Sequence, residues 1–235
     1  MRHGNSQRWG VAALSVLGFS TVYAAPVITN GSFEAVQITS SFSTSPADIP
    51  GWTHTGDVGD ALLWNVNFNI CCNSNGGIPN ASAGQGNQFV TMGGGFAAAG
   101  SAQWSQTLTG MTIGQTYAVD FLMASEGQTS TQQMTVGLTS GSSTGPETFT
   151  SLPSPGLSPL VWASWGSFTY DFVATATTGT LQFSAANQVN DVGLDAVSIS
   201  TGSEVPEPGT LSLLALGLGI SGLGIYRRRR SARPS

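Results

Sequence analysis

Thr116-Tyr117-Ala118-Val119-Asp120-Phe121-Leu122-Met123 is the stretch that decides the fold. Tyr117, Val119, Phe121 and Met123 share one parity, and Asp120 falls on the other. Period-two alternation sends successive side chains to opposite faces, so the segment reads as one strand of an antiparallel sheet covering a core. Phe168-Thr169-Tyr170-Asp171-Phe172 repeats the pattern, aromatics inward and polar residues outward, and Leu181, Phe183 and Ala185 repeat it after Gly179. Working outward, residues 88–92, 102–108 and 133–139 read as further strands, and Val27-Ile28-Thr29 as a short opening strand entering a turn at Asn30-Gly31. The last strand breaks phase: Val192 and Leu194 lie on one parity, Val197 and Ile199 on the other. A kink or bulge near Asp195 would reconcile them. About eight strands between Gly-rich turns, with no sustained helical period before residue 210, predict an all-β fold, a two-sheet antiparallel sandwich. No regular threonine ladder is read along the chain.

Charge is distributed with unusual asymmetry. All seven basic residues, Arg2, Arg8, Arg227 to Arg230 and Arg233, lie near the ends, while all twelve acidic residues fall between 26 and 226. A body without Lys or Arg cannot release counterions from nucleic acid, which excludes DNA and RNA as partners. It also lacks the guanidinium forks that recognise phosphate or uronate. Neutral sugars and divalent cations remain as ligands. Abundant aromatics and scarce charge argue for a folded extracellular domain and against disorder.

Both ends read as addresses. Arg2 and Arg8, the apolar run from Trp9 to Val22 and the small Ala24 and Ala25 have the layout of a secretory signal peptide, cleaved after Ala24. At the other end, Val205-Pro206-Glu207-Pro208-Gly209 precedes an uncharged stretch, 210–226, and then four arginines. As a helix that stretch would rise about 25 Å, close to the thickness of a bilayer core, and Arg227, Arg228, Arg229 and Arg230 would stay cytoplasmic. The three parts together resemble the PEP-CTERM sorting signal of Gram-negative bacteria. The resemblance implies export, transient inner-membrane tethering, and processing near Pro206, Glu207 and Pro208 by an exosortase-type protease, with delivery to the cell surface or extracellular matrix. The expected organisation is a signal peptide at 1–24, a sandwich domain at 25–202, a Pro/Gly linker at 203–209, a single transmembrane helix at 210–226 and a basic cytoplasmic tail at 227–235.

A second resemblance is carried by Asn30-Gly31-Ser32-Phe33-Glu34, Gly51-Trp52, the run from Leu108 to Tyr117, and Gly193-Leu194-Asp195-Ala196-Val197-Ser198-Ile199. In this order they look like the galactose-binding-like jelly roll of many carbohydrate-binding modules. That resemblance implies a structural Ca²⁺ with Glu34 and Asp195 at the ligand positions, and calcium's need for hard oxygen donors agrees. The family's usual Asp-Asn before the final Val is Asp195-Ala196 here, which puts the second position in doubt. It also implies association with polysaccharide, through aromatic faces and polar side chains.

Trp52, Trp104 and Trp165 occupy motif or strand positions and are assigned to the core. Trp64, among Asn65, Asn67 and Asn69, and Trp162 are the candidate exposed sugar platforms, with Asp57 and Asp60 as possible neighbours in the same loop site. The adjacent Cys71 and Cys72 leave three arrangements open: a strained vicinal disulfide, which is favoured, an intermolecular bridge, or two free thiols. Gly141-Ser142-Ser143-Thr144-Gly145 fits a hydrolase elbow by pattern but lacks its strand–turn–helix setting. His54 is the single histidine between the two ends, so catalysis has little to use. The expected function is a non-catalytic, exported matrix or biofilm protein that associates with exopolysaccharide through a calcium-stabilised jelly roll. The alternative is a structural or adhesive matrix component without a specific sugar site.

Overall fold

The computed structural model describes residues 25–55, 61–68, 84–93, 102–126, 131–153, 164–185 and 191–202. The expected signal peptide, Pro-Glu-Pro linker, transmembrane helix and basic tail lie outside these residues. Among the described residues, no helix is long and apolar enough to cross a membrane.

Eleven strands make up the described part: β1 Phe42–Ser43, β2 Thr53–Thr55, β3 Ala61–Asn65, β4 Gln88–Gly93, β5 Gln103–Thr109, β6 Thr116–Ser125, β7 Gln133–Leu138, β8 Glu147–Thr150, β9 Gly166–Val173, β10 Thr178–Ala185 and β11 Asp191–Thr201. They form a six-stranded sheet in the order β1-β3-β4-β11-β6-β9 and a five-stranded sheet in the order β2-β5-β10-β7-β8. Every pairing is antiparallel. The inward parities read from sequence meet between the sheets. Phe121 of β6 packs edge-on against Phe183 of β10, ring centroids 5.4 Å apart, and against Phe149 of β8 at 5.3 Å. Trp104, Tyr117, Tyr170 and Phe172 are buried in the same core. Burial of each such side chain contributes roughly 1.5–3 kcal/mol.

Three features differ from the sequence reading. Val27–Thr29 forms no strand. Two buried glutamines instead lace down the N-terminal stretch from 29 to 38. Gln106 Oε1 accepts from the Thr29 N–H at 2.7 Å, and Gln106 Nε2 donates to the carbonyls of Thr29 and Gly51, each at 2.9 Å. Gln88 Oε1 accepts from the Ile38 N–H at 2.8 Å, and Gln88 Nε2 donates to Phe33 O at 2.7 Å and Val36 O at 2.9 Å. A side-chain amide offers the same donor and acceptor pair as a peptide unit, so each glutamine stands in for a strand partner.

The second difference is β3, which the sequence reading left irregular. Ala61 and Leu63 enter the main core, while Leu62 and Trp64 join a second cluster with Phe89 and Ala124 on the outer face of the six-stranded sheet. A strand buried on both faces shows no alternation to find. The third is the number of short strands: β1, β2 and β8 are two to four residues long, too brief for a periodic signal.

The phase break in the last strand is a bulge, as expected. Asp195 pairs with Leu122 but Ser198 pairs with Asp120, so β11 carries one residue more than β6 over this interval. Ala196 absorbs the extra residue in the left-handed region, φ 51°, at a cost of roughly 1 kcal/mol for a residue with a Cβ. The Val197 N–H then donates to Gly31 O at 2.8 Å, joining the bulge to the N-terminal segment.

Candidate functional site

The bulge sets Asp195 on the outer side of β11, where it is fully buried. Its Oδ1 accepts from the Ala196 N–H at 2.6 Å and its Oδ2 from the Gln85 N–H at 2.7 Å. Glu34 approaches from the N-terminal segment. Its Oε1 accepts the N–H groups of Asn87 and Gln88, both at 2.6 Å, and its Oε2 accepts from Gln37 Nε2. One turn, residues 84–88, therefore donates backbone N–H groups to both carboxylates. Gly86 lies in that turn at φ +66°, and a Cβ there would fall 2.4 Å from Glu34 Oε1, so only glycine lets the turn close on the carboxylate.

Burial pushes the Asp195 carboxyl up to about 7; the N–H bonds from Gln85 and Ala196 oppose this, and the negative charge of Glu34 adds to it. Burial likewise raises Glu126 at the far end of β6, against a bond from the Asp191 N–H. The structure thus brings together the two carboxylates singled out for calcium. As oxygen-only donors they suit a hard cation: Glu34 Oε1 spends both lone pairs on Asn87 and Gln88, whereas Glu34 Oε2 and the two Asp195 oxygens each accept one bond and keep a lone pair. Among the described residues no group of three or more His, Cys, Asp or Glu could hold a metal.

The outer face of the five-stranded sheet has a different chemistry. The residues alternating with the core are Gln103, Ser105, Thr107 and Thr109 on β5 and Thr178, Thr180, Gln182 and Ser184 on β10, paired across the strands. Gln133, Thr135 and Gly137 of β7 continue the face, and the edge strands add Thr53, Thr55, Thr148 and Thr150. None of these side chains is charged or aromatic. Thr135 and Thr148 share a hydroxyl–hydroxyl bond at 3.0 Å, Gln182 donates to Gln103, and Thr55 donates to the same Gln103 oxygen at 3.3 Å. Where Gly137 lacks a side chain, a hollow of about 120 Å³ opens between Thr135, Thr139, Gln182, Ser184 and Pro146. The sequence did carry a signal for this face. Thr53-His54-Thr55, Thr107-Leu108-Thr109, Thr148-Phe149-Thr150 and Thr178-Gly179-Thr180 are four Thr-x-Thr units, and the fold lays them on one surface although they are scattered along the chain.

Of the expected sugar platforms, Trp64 is overturned. It is 4% exposed, its Nε1 donates to Thr91 Oγ1 at 2.9 Å, and its ring packs 5.6 Å from that of Phe42. Neighbouring Asn65 is structural too, donating to Ile38 O at 2.9 Å. Trp162, Asp57, Asp60, Cys71 and Cys72 lie outside the described residues. Trp52 and Trp104 are core residues as expected; Trp52 Nε1 donates to Asn30 O at 3.0 Å, uniting two of the motifs quoted above. Trp165 is half-buried, edge-on to Phe89 at 5.3 Å.

Residues 204–230 match the PEP-CTERM protein-sorting motif. The motif implies export, sorting to the cell surface and processing by an exosortase. None of the curated proteins matches the chain. Among solved structures, the fold is similar to that of TmCBM61 in complex with β-1,4-galactotriose, with 16% identity over 76% of this chain and 100% of that one and a TM-score of 0.47. It is also similar to the CBM22-1 xylan-binding domain from Paenibacillus barcinonensis Xyn10C, with 12% identity over 77% and 97% and a TM-score of 0.45. A third is the cleaved adhesin domain of Lys-gingipain from Porphyromonas gingivalis, with 16% identity over 73% and 96% and a TM-score of 0.43. What is shared at such identity is the arrangement of strands.

Proposed function

We propose that the protein is a non-catalytic surface or matrix component that associates with extracellular polysaccharide through the outer face of its five-stranded sheet. Transient tethering by 210–226 in the inner membrane of a Gram-negative cell, with Arg227 to Arg230 inside, would precede release by the processing protease. The observation that carries the polysaccharide reading is the uncharged hydroxyl and amide surface spread over all five strands. Hydroxyls and amides both donate and accept, as sugar hydroxyls do, and no charged side chain stands among the described residues of this face. Each such bond adds only about 1 kcal/mol net, so useful affinity comes from repetition along a polymer.

The full exported chain is expected to bind neutral polysaccharides on a glycan array, and Thr180→Arg in the middle of the face to weaken that binding about tenfold or more, at a cost to stability within about 0.5 kcal/mol. Unchanged binding by Thr180→Arg would move the site elsewhere, and absence of any glycan bound would end the polysaccharide reading.

A calcium ion held by Glu34 and Asp195 is part of the same proposal. It would tie the N-terminal segment, the 84–88 turn and the β11 bulge into one unit. Calcium at about a hundred times its dissociation constant stabilises by about 2.7 kcal/mol. For a domain of this size that corresponds to a Tm about 5–10 °C higher than in chelator, with the difference absent in Glu34→Gln. A Tm indifferent to chelator would remove the ion from the proposal.

A further inference from the structure

The β11 bulge leaves a depression of about 480 Å³ on the outer face of the six-stranded sheet, opposite the hydroxyl face. Asp120 and Leu122 of β6, Ser167 of β9, Ala196 and Ser198 of β11, and Gln85 of the preceding turn line it. Its wall is fixed. The Gln85 N–H is held by Asp195, and the turn rests on Leu122 so closely that a Cβ on Gly84 would fall 2.7 Å from Leu122 Cδ1 and 3.2 Å from the Trp165 ring. Among the described lining residues the one aromatic is Phe121, which is 1% exposed and belongs to the core.

Asp120 is the one ionisable group among the described residues that line it. Its Oδ1 accepts from Thr169 Oγ1 at 2.6 Å, which orients the carboxylate and leaves Oδ2 to others. No lysine or arginine exists between residues 26 and 226 to pair with it. We propose that this depression is a subsite for an amino sugar bearing a free, protonated amine. The Asp120 carboxylate receives the ammonium, while Ser167, Ser198 and the Gln85 amide address ring hydroxyls.

The ligand class follows from what the site lacks and what surrounds it. A neutral sugar gains most by stacking on an aromatic face, and no described residue of the lining exposes one. A charge-assisted bond is about twice as strong as a neutral one. Twelve acidic residues and no basic ones between 26 and 226 give the body a field that concentrates cationic polymers. A divalent ion would need further carboxylates, and Asp120 has no acidic neighbour in the lining. The proposal goes beyond the polysaccharide reading of the opposite sheet and can fail while that reading stands.

The test uses the full-length chain in an uncharged detergent without sugar groups, with calcium present. Calorimetry compares a β-linked glucosamine tetramer with the corresponding N-acetylglucosamine tetramer, at a pH where the free amine is protonated. The glucosamine tetramer is expected to bind about tenfold more tightly or better. Asp120→Asn, which keeps an acceptor for Thr169, is expected to lose about tenfold. Asp171→Asn removes the same charge from an exposed position of β9 on the same face and is expected to change binding less than about twofold. Equal losses in the two variants would mean attraction to the overall field alone and would overturn the proposal. Equal affinity for the two tetramers, or no binding of the amine form, would overturn it as well. Binding of neutral glycans to the hydroxyl face, read separately with Thr180→Arg, is untouched by any of these outcomes.

Discussion

Replacing Gln88 with leucine is expected to lower the unfolding free energy by about 4 kcal/mol, although the two side chains are close in size and the site is fully buried. Leucine fills the space but leaves three backbone groups behind: the Ile38 N–H, the Phe33 carbonyl and the Val36 carbonyl, each now within 2.9 Å of a Gln88 amide atom. A buried donor or acceptor without a partner costs about 1–3 kcal/mol. Val36 is half-buried and its carbonyl can recover a water, whereas Phe33 and Ile38 are buried and theirs have less recourse. The added apolar contact of leucine offsets part of this loss, roughly 1 kcal/mol. At 2–4 °C per kcal/mol for a domain of this size, Tm should fall by about 10 °C. Gln88→Glu keeps an acceptor for Ile38 but brings a carboxyl into an apolar site, so it should do no better than leucine. Thr109→Val, on the exposed end of β5, serves as the comparison and should stay within about 0.5 kcal/mol of the parent. If Gln88→Leu melted within a degree or two of the parent, the view that this amide replaces a strand partner would be wrong.

That prediction concerns a residue the sequence could not flag. Gln88 and Gln106 sit at inward positions of strands that were otherwise read correctly, and a polar residue there looks like an interruption of the pattern. Only the folded chain reveals that 29–38 has no neighbouring strand and needs a substitute. The strands that alternate, β6, β9 and β10, were legible because one face meets the core and the other meets solvent. Trp64 was misread for the converse reason: β3 is covered on both sides, so polar Asn65 and Asn67 suggested a surface loop, while Asn65 was in fact bonding into the interior. The bulge at Asp195 was legible because a parity change leaves a trace in apolar spacing. Its consequence, a left-handed alanine and a depression beside Asp120, depends on a backbone dihedral that spacing does not encode. The Thr-x-Thr face needed the register of five strands, since neighbours such as Thr107 and Thr180 are far apart in sequence.

In chelator, stability is expected to fall as pH rises from about 4 to 7, by up to about 4 kcal/mol, and then to level off. The cause is Asp195, whose carboxyl moves from an ordinary 3.8 to about 7 in the folded protein, first because it is buried and then because Glu34 lies close. Below about pH 4 the folded and unfolded chains both hold the proton. Between there and about 7 only the folded chain holds it, so each rise in pH favours unfolding; above about 7 both have released it and the slope vanishes. This is the reverse of the usual carboxylate, which is held ionised by a cation or by hydrogen bonds and loses stability in acid. Glu126 is also raised by burial and works in the same direction. Asp120 lies on the same outer face, one β6 pair away from Leu122, the residue opposite Asp195, and no lysine or arginine is present between residues 26 and 226. Urea unfolding at a series of pH values gives the slope directly. Asp195→Asn should remove most of it and leave the Glu126 contribution, even though the amide costs the site an acceptor for Gln85 or Ala196 and lowers stability at every pH. Calcium should flatten the wild-type curve, because an ion that binds the ionised carboxylate takes over from the proton just where the proton leaves. A wild-type curve in chelator that rises between pH 5 and 7 would show that Asp195 is ionised at neutral pH without help, and that its backbone N–H donors outweigh its burial.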